Sequence, residues 1–266
     1  MSKEETPNID WKAESDRFDG VAERYDQHRP SYPAALVEGA IEVAGLRPGD
    51  RILEIGCGPG KATRLFVEAG FQLHCIEPGA NLLAIAKQHF SSYPVTFECA
   101  RFEEWEETQT DFDLVMSAQA FHWVPEEIGY AKTARALRPG GHIALIWNMY
   151  PGPKNHIFQD IDVVYREYAP EIVRPDDDFE RGIVKRKQSI LDSKLFEGLQ
   201  VLRYPWSEIC DVDHYLGLLD TYSDHLRLPE DRRQRLYDGV AEVIESHGGT
   251  IEKPYVAVLF IAKVKK

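Results

Sequence analysis

Between residues 51 and 148, five short apolar runs alternate with stretches whose apolar residues recur every three or four positions. The runs cover 51–55, 71–76, 95–98, 112–117 and 142–148, and the periodic stretches between them cover 61–69, 80–90 and 125–137. A strand that is apolar along its whole length must be buried on both faces, which is the condition of a parallel sheet with helices on both sides. Right-handed crossovers then wind those helices onto the two faces, so the expected fold class is α/β, a doubly wound, mostly parallel sheet. Leu46-Arg47-Pro48-Gly49-Asp50 and Leu137-Arg138-Pro139-Gly140-Gly141 read as helix stops ahead of the first and fifth strands.

Two helices, 11–25 and 33–44, precede this core, joined by Gln27-His28-Arg29-Pro30-Ser31-Tyr32. After it the chain breaks at 151–153, is helical over 155–168, and crosses a polar stretch containing 176–178 and 185–187. A strand-like 200–208, helices at 212–220 and 229–246, a turn at 247–250 and an apolar strand at 255–264 complete it. The expected organisation is an N-terminal helical lid over 1–48 and a cofactor-binding core over 49–150. An inserted cap over 151–198 follows, and 199–266 completes the same domain with helices and an antiparallel C-terminal edge.

At 266 residues, 43% hydrophobic and 28% charged, the chain can bury a substantial core without disulfides or a structural metal. With 31 basic against 44 acidic residues, the net charge of −13 argues against a protein that coats phosphate backbones, so no nucleic-acid partner is expected. Cys57, Cys75, Cys99 and Cys210 form no metal-type spacing and read as small apolar filler in a reducing compartment. The nine histidines are scattered, and no metal is expected. The N-terminus has no basic start and no apolar stretch, and no apolar run approaches the ~20 residues of a membrane helix. A cytoplasmic location without membrane contact is expected.

The most specific segment is Arg51-Ile52-Leu53-Glu54-Ile55-Gly56-Cys57-Gly58-Pro59-Gly60-Lys61-Ala62-Thr63, a buried strand ending in a glycine loop that opens a helix. Such loops lie at the carboxyl ends of strands, where α/β sheets bind ligands, and the helix start offers unpaired N–H groups to an anion. The GxxxxGK[ST] spacing of a P-loop is absent. In a G-x-G-x-x-G/A dinucleotide fingerprint the third position falls on Lys61 or Thr63, so neither register fits. What remains is Glu-x-Gly-x-Gly-x-Gly, followed by Glu77 at the end of the second strand, where a carboxylate can accept from both hydroxyls of a ribose.

That pattern resembles the first motif of class I S-adenosylmethionine-dependent methyltransferases. The resemblance extends through Ala100-Arg101-Phe102-Glu103, Asp111-Phe112-Asp113-Leu114-Val115, the approach to strand five, and the late edge strands of a seven-stranded sheet. The lid segment Phe18…Tyr25-Asp26-Gln27-His28-Arg29-Pro30-Ser31-Tyr32-Pro33 and the turn Ala120-Phe121-His122-Trp123 are similar to those of small-acid methyltransferases of the trans-aconitate type. The resemblance implies S-adenosylmethionine as cofactor and methyl transfer to a small molecule, one that bears a carboxylate. The cofactor would meet Tyr25, Arg29, Glu54, Gly56, Cys57, Gly58, Gly60, Glu77, Pro78, Arg101, Phe102, Ser117 and Ala118. The acceptor would meet Tyr32, His122, Trp123 and Asn148, with His122 as orienting group or base.

Each assignment has a plainer alternative. Glu54 organises the loop or answers the helix dipole, and Glu77 caps the helix near Ala80. Phe102 and Trp123 are core aromatics, Arg29 makes a surface ion pair with Asp26 or Glu23, and Tyr25 and Tyr32 staple the lid. Thr221-Tyr222-Ser223-Asp224 either covers the pocket or supplies turn chemistry. Two other functions stay open at this point: a module that holds an adenosyl compound without turnover, and an NAD(P)-dependent oxidoreductase.

Overall fold

A computed structural model describes residues 19–107, 110–152, 156–173 and 178–265. Phe18 and most of the expected first helix lie outside the described residues. The first complete helices are α1 (Ala22–His28) and α2 (Ala34–Ala44). Then β1 (Arg51–Ile55), α3 (Lys61–Glu68), β2 (Gln72–Ile76), α4 (Ala80–His89) and β3 (Val95–Glu98) alternate. β4 (Phe112–Ala118), a single 3-10 turn (Phe121–Trp123), α5 (Glu126–Ala136) and β5 (Leu137–Met149) complete the core. The remainder is α6 (His156–Tyr168), α7 (Asp178–Asp192), β6 (Phe196–Asp211), α8 (Val212–Leu219), α9 (Ser223–Leu226), α10 (Glu230–Ser246) and β7 (Thr250–Val264).

The strands form one seven-stranded sheet in the order β3-β2-β1-β4-β5-β7-β6. Strands β1 to β5 pair in parallel, and β7 is antiparallel to both β5 and β6. Reversal is therefore confined to β7, and β6 runs in the same direction as the core strands.

Alternate residues of each strand feed different layers, as a pleat requires. Ile52, Leu114, Met116 and Ala144 meet α2, α3 and α4 on one face, whereas Leu53, Val115, Ile143 and Leu145 meet α5 and α7 on the other. A third apolar cluster holds α6, α8 and α10 together around Tyr215, Leu236, Val240 and Ile251.

The expected polar stretch after α6 is instead largely the 15-residue helix α7, which buries Ile183 and Ile190 and half-buries Phe179. Its exposed face carries so many charges that the apolar residues are diluted. The two helix stops also work differently from expectation. α2 ends one residue earlier, on Gly45 in the left-handed region (φ 63°), whose N–H reaches back to Ile41. α5 passes straight into β5 at Leu137, and a bulge opposite Phe112–Leu114 absorbs the Pro-Gly-Gly.

Register explains where the cap stands. β5 pairs with β7 only from Val256 to Lys263, while β6 pairs with β7 down to Asp211↔Thr250. The ribbon thus overhangs the carboxyl ends of the parallel strands, and α6, α8, α9 and α10 form the cap there. They roof the side of the sheet where α/β folds bind ligands. Helix α7, within the 151–198 expected as cap, packs instead on the sheet face.

Candidate active site

The carboxyl ends of β1, β2 and β4 open onto a cleft of ≈ 1140 Å³ that continues beneath the cap. Its floor is the glycine loop. Gly56 holds φ 68°, and a Cβ there would stand 2.4 Å from Ala120 Cβ, so β1 and the loop after β4 touch only because that side chain is missing. Gly60 holds φ 95°, and a Cβ would stand 2.2 Å from the Phe90 ring. Gly60 therefore lets α3 begin against α4 and does not line the cleft.

Glu77 stands at the cleft edge, 6% exposed, with Oε2 accepting from the Gly58 N–H and Oε1 from the Gly79 N–H, each at 2.9 Å. It ties the two ligand-facing loops together, and each oxygen keeps a lone pair for a further donor. Burial raises its carboxyl to about 7 despite these bonds. Glu54 is fully buried; its Oε2 accepts from Thr63 Oγ1 at 2.6 Å, joining β1 to the first turns of α3. Its Oε1 is buried without a hydrogen-bond partner at the bottom of a side chamber shared with Tyr25, Arg29 and Tyr32. Burial raises Glu54 to about 8. The loop-organising role and a vacant acceptor thus occur in one side chain.

Cys57 is buried against Cys75 and its own loop, with its Sγ 3.5 Å from the Gly58 carbonyl. Pro78, Arg101 and Phe102 form the far wall. Phe102 is also a core aromatic, 3% exposed and stacked on Trp105 at 5.8 Å, and Arg101 lies 3.8 Å from Glu103. Ala118 reaches the cleft, but Ser117 lies behind it, fully buried, with Oγ donating to the Ile55 carbonyl at 2.8 Å.

The lid crosses the cleft and is fastened at both ends. Lys61 Nζ donates to the Asp26 carbonyl, and the Asp26 carboxylate lies 3.8 Å from Lys61 and 3.4 Å from His89. Asp19 Oδ1 accepts from the Asn81 and Leu82 N–H groups at 2.7 and 3.1 Å, capping α4 from outside. Arg24 pairs with Asp220, and the His28 ring packs on Gly217 of α8. Arg29 does not make the surface ion pair: its Nη2 donates to the Thr221 carbonyl at 2.6 Å, and its guanidinium lies 5.0 Å from the Tyr25 ring and 4.4 Å from Tyr222. Its Nε is buried without a partner. Tyr32, 9% exposed, sits in the side chamber beside Glu54 and Cys57, away from the part of the cleft lined by His122 and Trp123. Tyr222 lines the cleft from the turn after α8, whereas Thr221 is fully buried, its Oγ1 donating to the Leu218 carbonyl at 2.6 Å.

Asn148 is occupied as a latch. Its Nδ2 donates to the Ser31 carbonyl at 2.8 Å, its Oδ1 accepts from Trp206 Nε1 at 3.0 Å, and its carbonyl accepts from Gln119 Nε2 at 3.1 Å. Gln119 itself holds φ 60° at the end of β4, a strained conformation at the cleft floor.

His122 and Trp123 line the cleft under the cap. The His122 ring is open to the cavity yet deep within the molecule, and burial, followed by Arg186 and Arg29, lowers it to about 4. Trp147 Nε1 donates to His122 Nδ1 at 3.4 Å, which leaves the proton of the neutral ring on Nε2. The side chain is thereby set as a hydrogen-bond donor. Arg186 of α7 lies 4.5 Å over the Trp147 ring, and Lys253 of β7 lies among Tyr150 (4.7 Å), Tyr215 (5.4 Å), Tyr255 (5.5 Å) and Phe158 (5.9 Å). Sequence reasoning missed both. The signals were a basic triplet at 185–187 in an acidic chain, and a lysine alternating with Ile251 and Tyr255 on a buried strand face.

Residues 52–141 match the family described as a methyltransferase domain. An uncharacterised methyltransferase of Mycobacterium tuberculosis is 25% identical, covering 91% of this chain and 93% of its own. One from Schizosaccharomyces pombe is 22% identical over 84% of each. Among solved structures, a methyltransferase from Anaeromyxobacter dehalogenans described as type II superposes with a TM-score of 0.64 at 25% identity, covering 89% of this chain and 96% of that one.

The chain carries an S-adenosylmethionine-dependent methyltransferase domain.

A phosphoethanolamine N-methyltransferase of Haemonchus contortus, solved with S-adenosylhomocysteine and phosphomonomethylethanolamine, shares the methyltransferase's fold. Its TM-score is 0.57 at 16% identity, over 97% of this chain and 61% of that one. Among the described residues of the methyltransferase, no helix is long and apolar enough to cross a membrane.

Proposed function

We propose that this methyltransferase esterifies a small carboxylate-bearing acceptor held between the turn at residues 121–123 and the cap. The observation that carries the acceptor class is electrostatic. In a chain of net charge −13, the cations Arg29 and Arg186 both line the cleft that His122 faces, and after burial, the larger cause, they lower its titration. Two guanidinium groups lining one cleft favour an anionic guest.

The residues present fit the cofactor. The buried, unpartnered Glu54 Oε1 suits an ammonium, and Gly56 and Gly58, both lining the cleft, hold positive φ, so the chain turns where a ligand must approach closely. Glu77 offers two carboxylate lone pairs at the cleft edge, and Phe102 lines the far wall. Arg29 suits the methionyl carboxylate, Tyr25 and Tyr222 suit a sulfonium, and Pro78, Arg101 and Ala118 complete the walls. When bound, S-adenosylmethionine supplies an electrophilic methyl group.

The protein's own contribution is alignment and exclusion of water, worth roughly 7–11 kcal/mol in favourable intramolecular cases. A carboxylate needs no base. His122, neutral with its proton on Nε2, donates to the acceptor rather than deprotonating it. Arg186 holds the acceptor's charge, and Trp123 and the aromatic ring of the cap shape the space around it.

Calorimetry with S-adenosylmethionine and S-adenosylhomocysteine, followed by transfer of labelled methyl to a panel of small mono-, di- and tricarboxylates, tests this reading. Both compounds bind, and the label appears in a product cleaved by mild base, as a methyl ester is. Arg186→Ala raises the acceptor KM at least tenfold and leaves the affinity for S-adenosylhomocysteine unchanged. Binding without transfer, or label confined to base-stable N- or C-methyl products, overturns the acceptor class.

A further inference from the structure

Outside the cleft, on the rim of the overhanging ribbon, Glu208, Cys210 and His214 each present a ligand atom, and the three atoms all lie within 4.8 Å of one another. The arrangement follows from local structure. Glu208 and Cys210 are two apart on β6 and share a face of the pleat. Asp211 Oδ1 accepts from the His214 N–H at 2.8 Å, capping α8 and turning its first turn back over that face.

Two of the three donors are left without hydrogen-bond partners in a way that folded proteins seldom tolerate. Glu208 Oε2 and His214 Nε2 are buried without hydrogen-bond partners; the nearest approach between the two side chains is 4.0 Å, beyond hydrogen-bonding range. Cys210 is 1% exposed, its sulfur turned to the same point. His28 of the lid stands edge-on to His214 with ring centroids 5.1 Å apart, and its Nδ1 is also buried and unpartnered. The side chains of His214 and Glu208 remain 31% and 29% exposed, which leaves an entry path.

We propose that Glu208, Cys210 and His214 bind one divalent cation of the zinc class, with a fourth position open to water. A thiolate, an imidazole and a carboxylate form a donor set suited to zinc, and three protein ligands with one open position is a known form of its coordination. The carboxylate and thiolate bring two negative charges to the ion. Lys253, across the ribbon from Glu208, is held among four aromatic rings. On metal binding the Cys210 thiol gives up its proton.

The site bears on the lid. His214 opens α8, the helix on which His28 packs at Gly217, and the turn after α8 holds Arg24 through Asp220 and Arg29 through the Thr221 carbonyl. An ion that fixes His214 fixes the seat of α1, and through it the guanidinium of Arg29. The proposal does not depend on the acceptor class.

Full-length protein freed of metal by chelation is titrated with cobalt(II) chloride and followed by absorption. One equivalent produces a thiolate-to-cobalt charge-transfer band in the near ultraviolet, and zinc chloride displaces it. Cys210→Ser abolishes the band, whereas Cys99→Ser, at the exposed cysteine, leaves it intact. Because Cys210 is buried and its variant can unfold, His214→Ala is the second arm; it weakens cobalt binding at least tenfold in protein whose circular dichroism matches the parent. No band, a band that survives Cys210→Ser, or unchanged cobalt affinity in His214→Ala overturns the proposal.

Discussion

Gly56→Ala should be far more damaging than its neighbour Gly58→Ala, although both glycines hold left-handed backbone. An L-residue at φ 68° or 55° costs about 1–2 kcal/mol in backbone strain, and both substitutions incur it. They differ in what the new methyl meets. At Gly58 the nearest atom is Tyr25 Cε1 at 3.9 Å, ordinary contact, whereas at Gly56 it is Ala120 Cβ at 2.4 Å. Ala120 has no rotamer to turn away, so the loop after β4 must move, an overpacking that costs about 1–3 kcal/mol more. Gly56→Ala should therefore lose about 2–5 kcal/mol in total, much of the stability of an ordinary domain. Urea denaturation reads these differences. The decisive arm is the double variant Gly56→Ala/Ala120→Gly, which removes the clash and keeps the strain; a cycle with both single variants should show about 1–3 kcal/mol of favourable coupling. In the surviving variants the affinity for S-adenosylhomocysteine should follow the same order, because the displaced loop starts at the end of β4, after Ala118, and lines the cleft. If Gly56→Ala is no worse than Gly58→Ala, or if Ala120→Gly rescues nothing, the close approach of β1 to the β4 loop is not what demands glycine.

Two further outcomes follow from the buried ionisable groups. Glu54 and Glu77 are raised by burial to about 8 and about 7, from the ordinary 4.5 of the unfolded chain, so the folded state holds protons that the unfolded state has released. Their contribution is complete below about pH 4.5 and is lost as pH rises, at about 1.4 kcal/mol per unit per group; Glu54→Gln should flatten the decline measured between pH 5 and 8, and an unchanged slope refutes the assignment. The imidazole of His122, lowered to about 4, should stay neutral in nitrogen-detected magnetic resonance down to pH 5 with its proton on Nε2, and a midpoint near 6.5 or an Nδ1 proton would falsify the donor role.

The parts of this architecture legible in the sequence are those where one local rule decides. β1 and β3 begin and end where their apolar runs do, and α3 and α4 fall within a residue of their periodic stretches, because buried strands and core-facing helices carry strong, short-range patterns. The glycine loop was legible for a related reason, since positive φ at alternate positions leaves few residue types available there. α7 was not. Its buried residues are few, and what places it is the sheet beneath, where Ile183 and Ile190 meet the β6–β7 face, a contact that no window of fifteen residues contains.

The same distinction divides the active site. Residues contributed by the core strands were readable because topology dictates that strand ends meet a ligand. The acceptor end is built by register. β7 pairs with β5 for only part of its length, the remainder of the ribbon projects, and Lys253 and Tyr255 reach the cleft because of that projection. Arg186 arrives from a third direction, on a helix packed against the opposite face of the sheet from α2. Asn148 shows the consequence most plainly. Its place at the end of β5 made it an acceptor ligand by topology, yet Ser31 and Trp206, from the lid and the edge strand, take both ends of its amide. A side chain so committed is unavailable to a substrate unless the lid opens. On the proposed reading, selection of the acceptor falls to Arg186, His122 and the aromatic side chains around Lys253, while Asn148 ties the lid to the sheet.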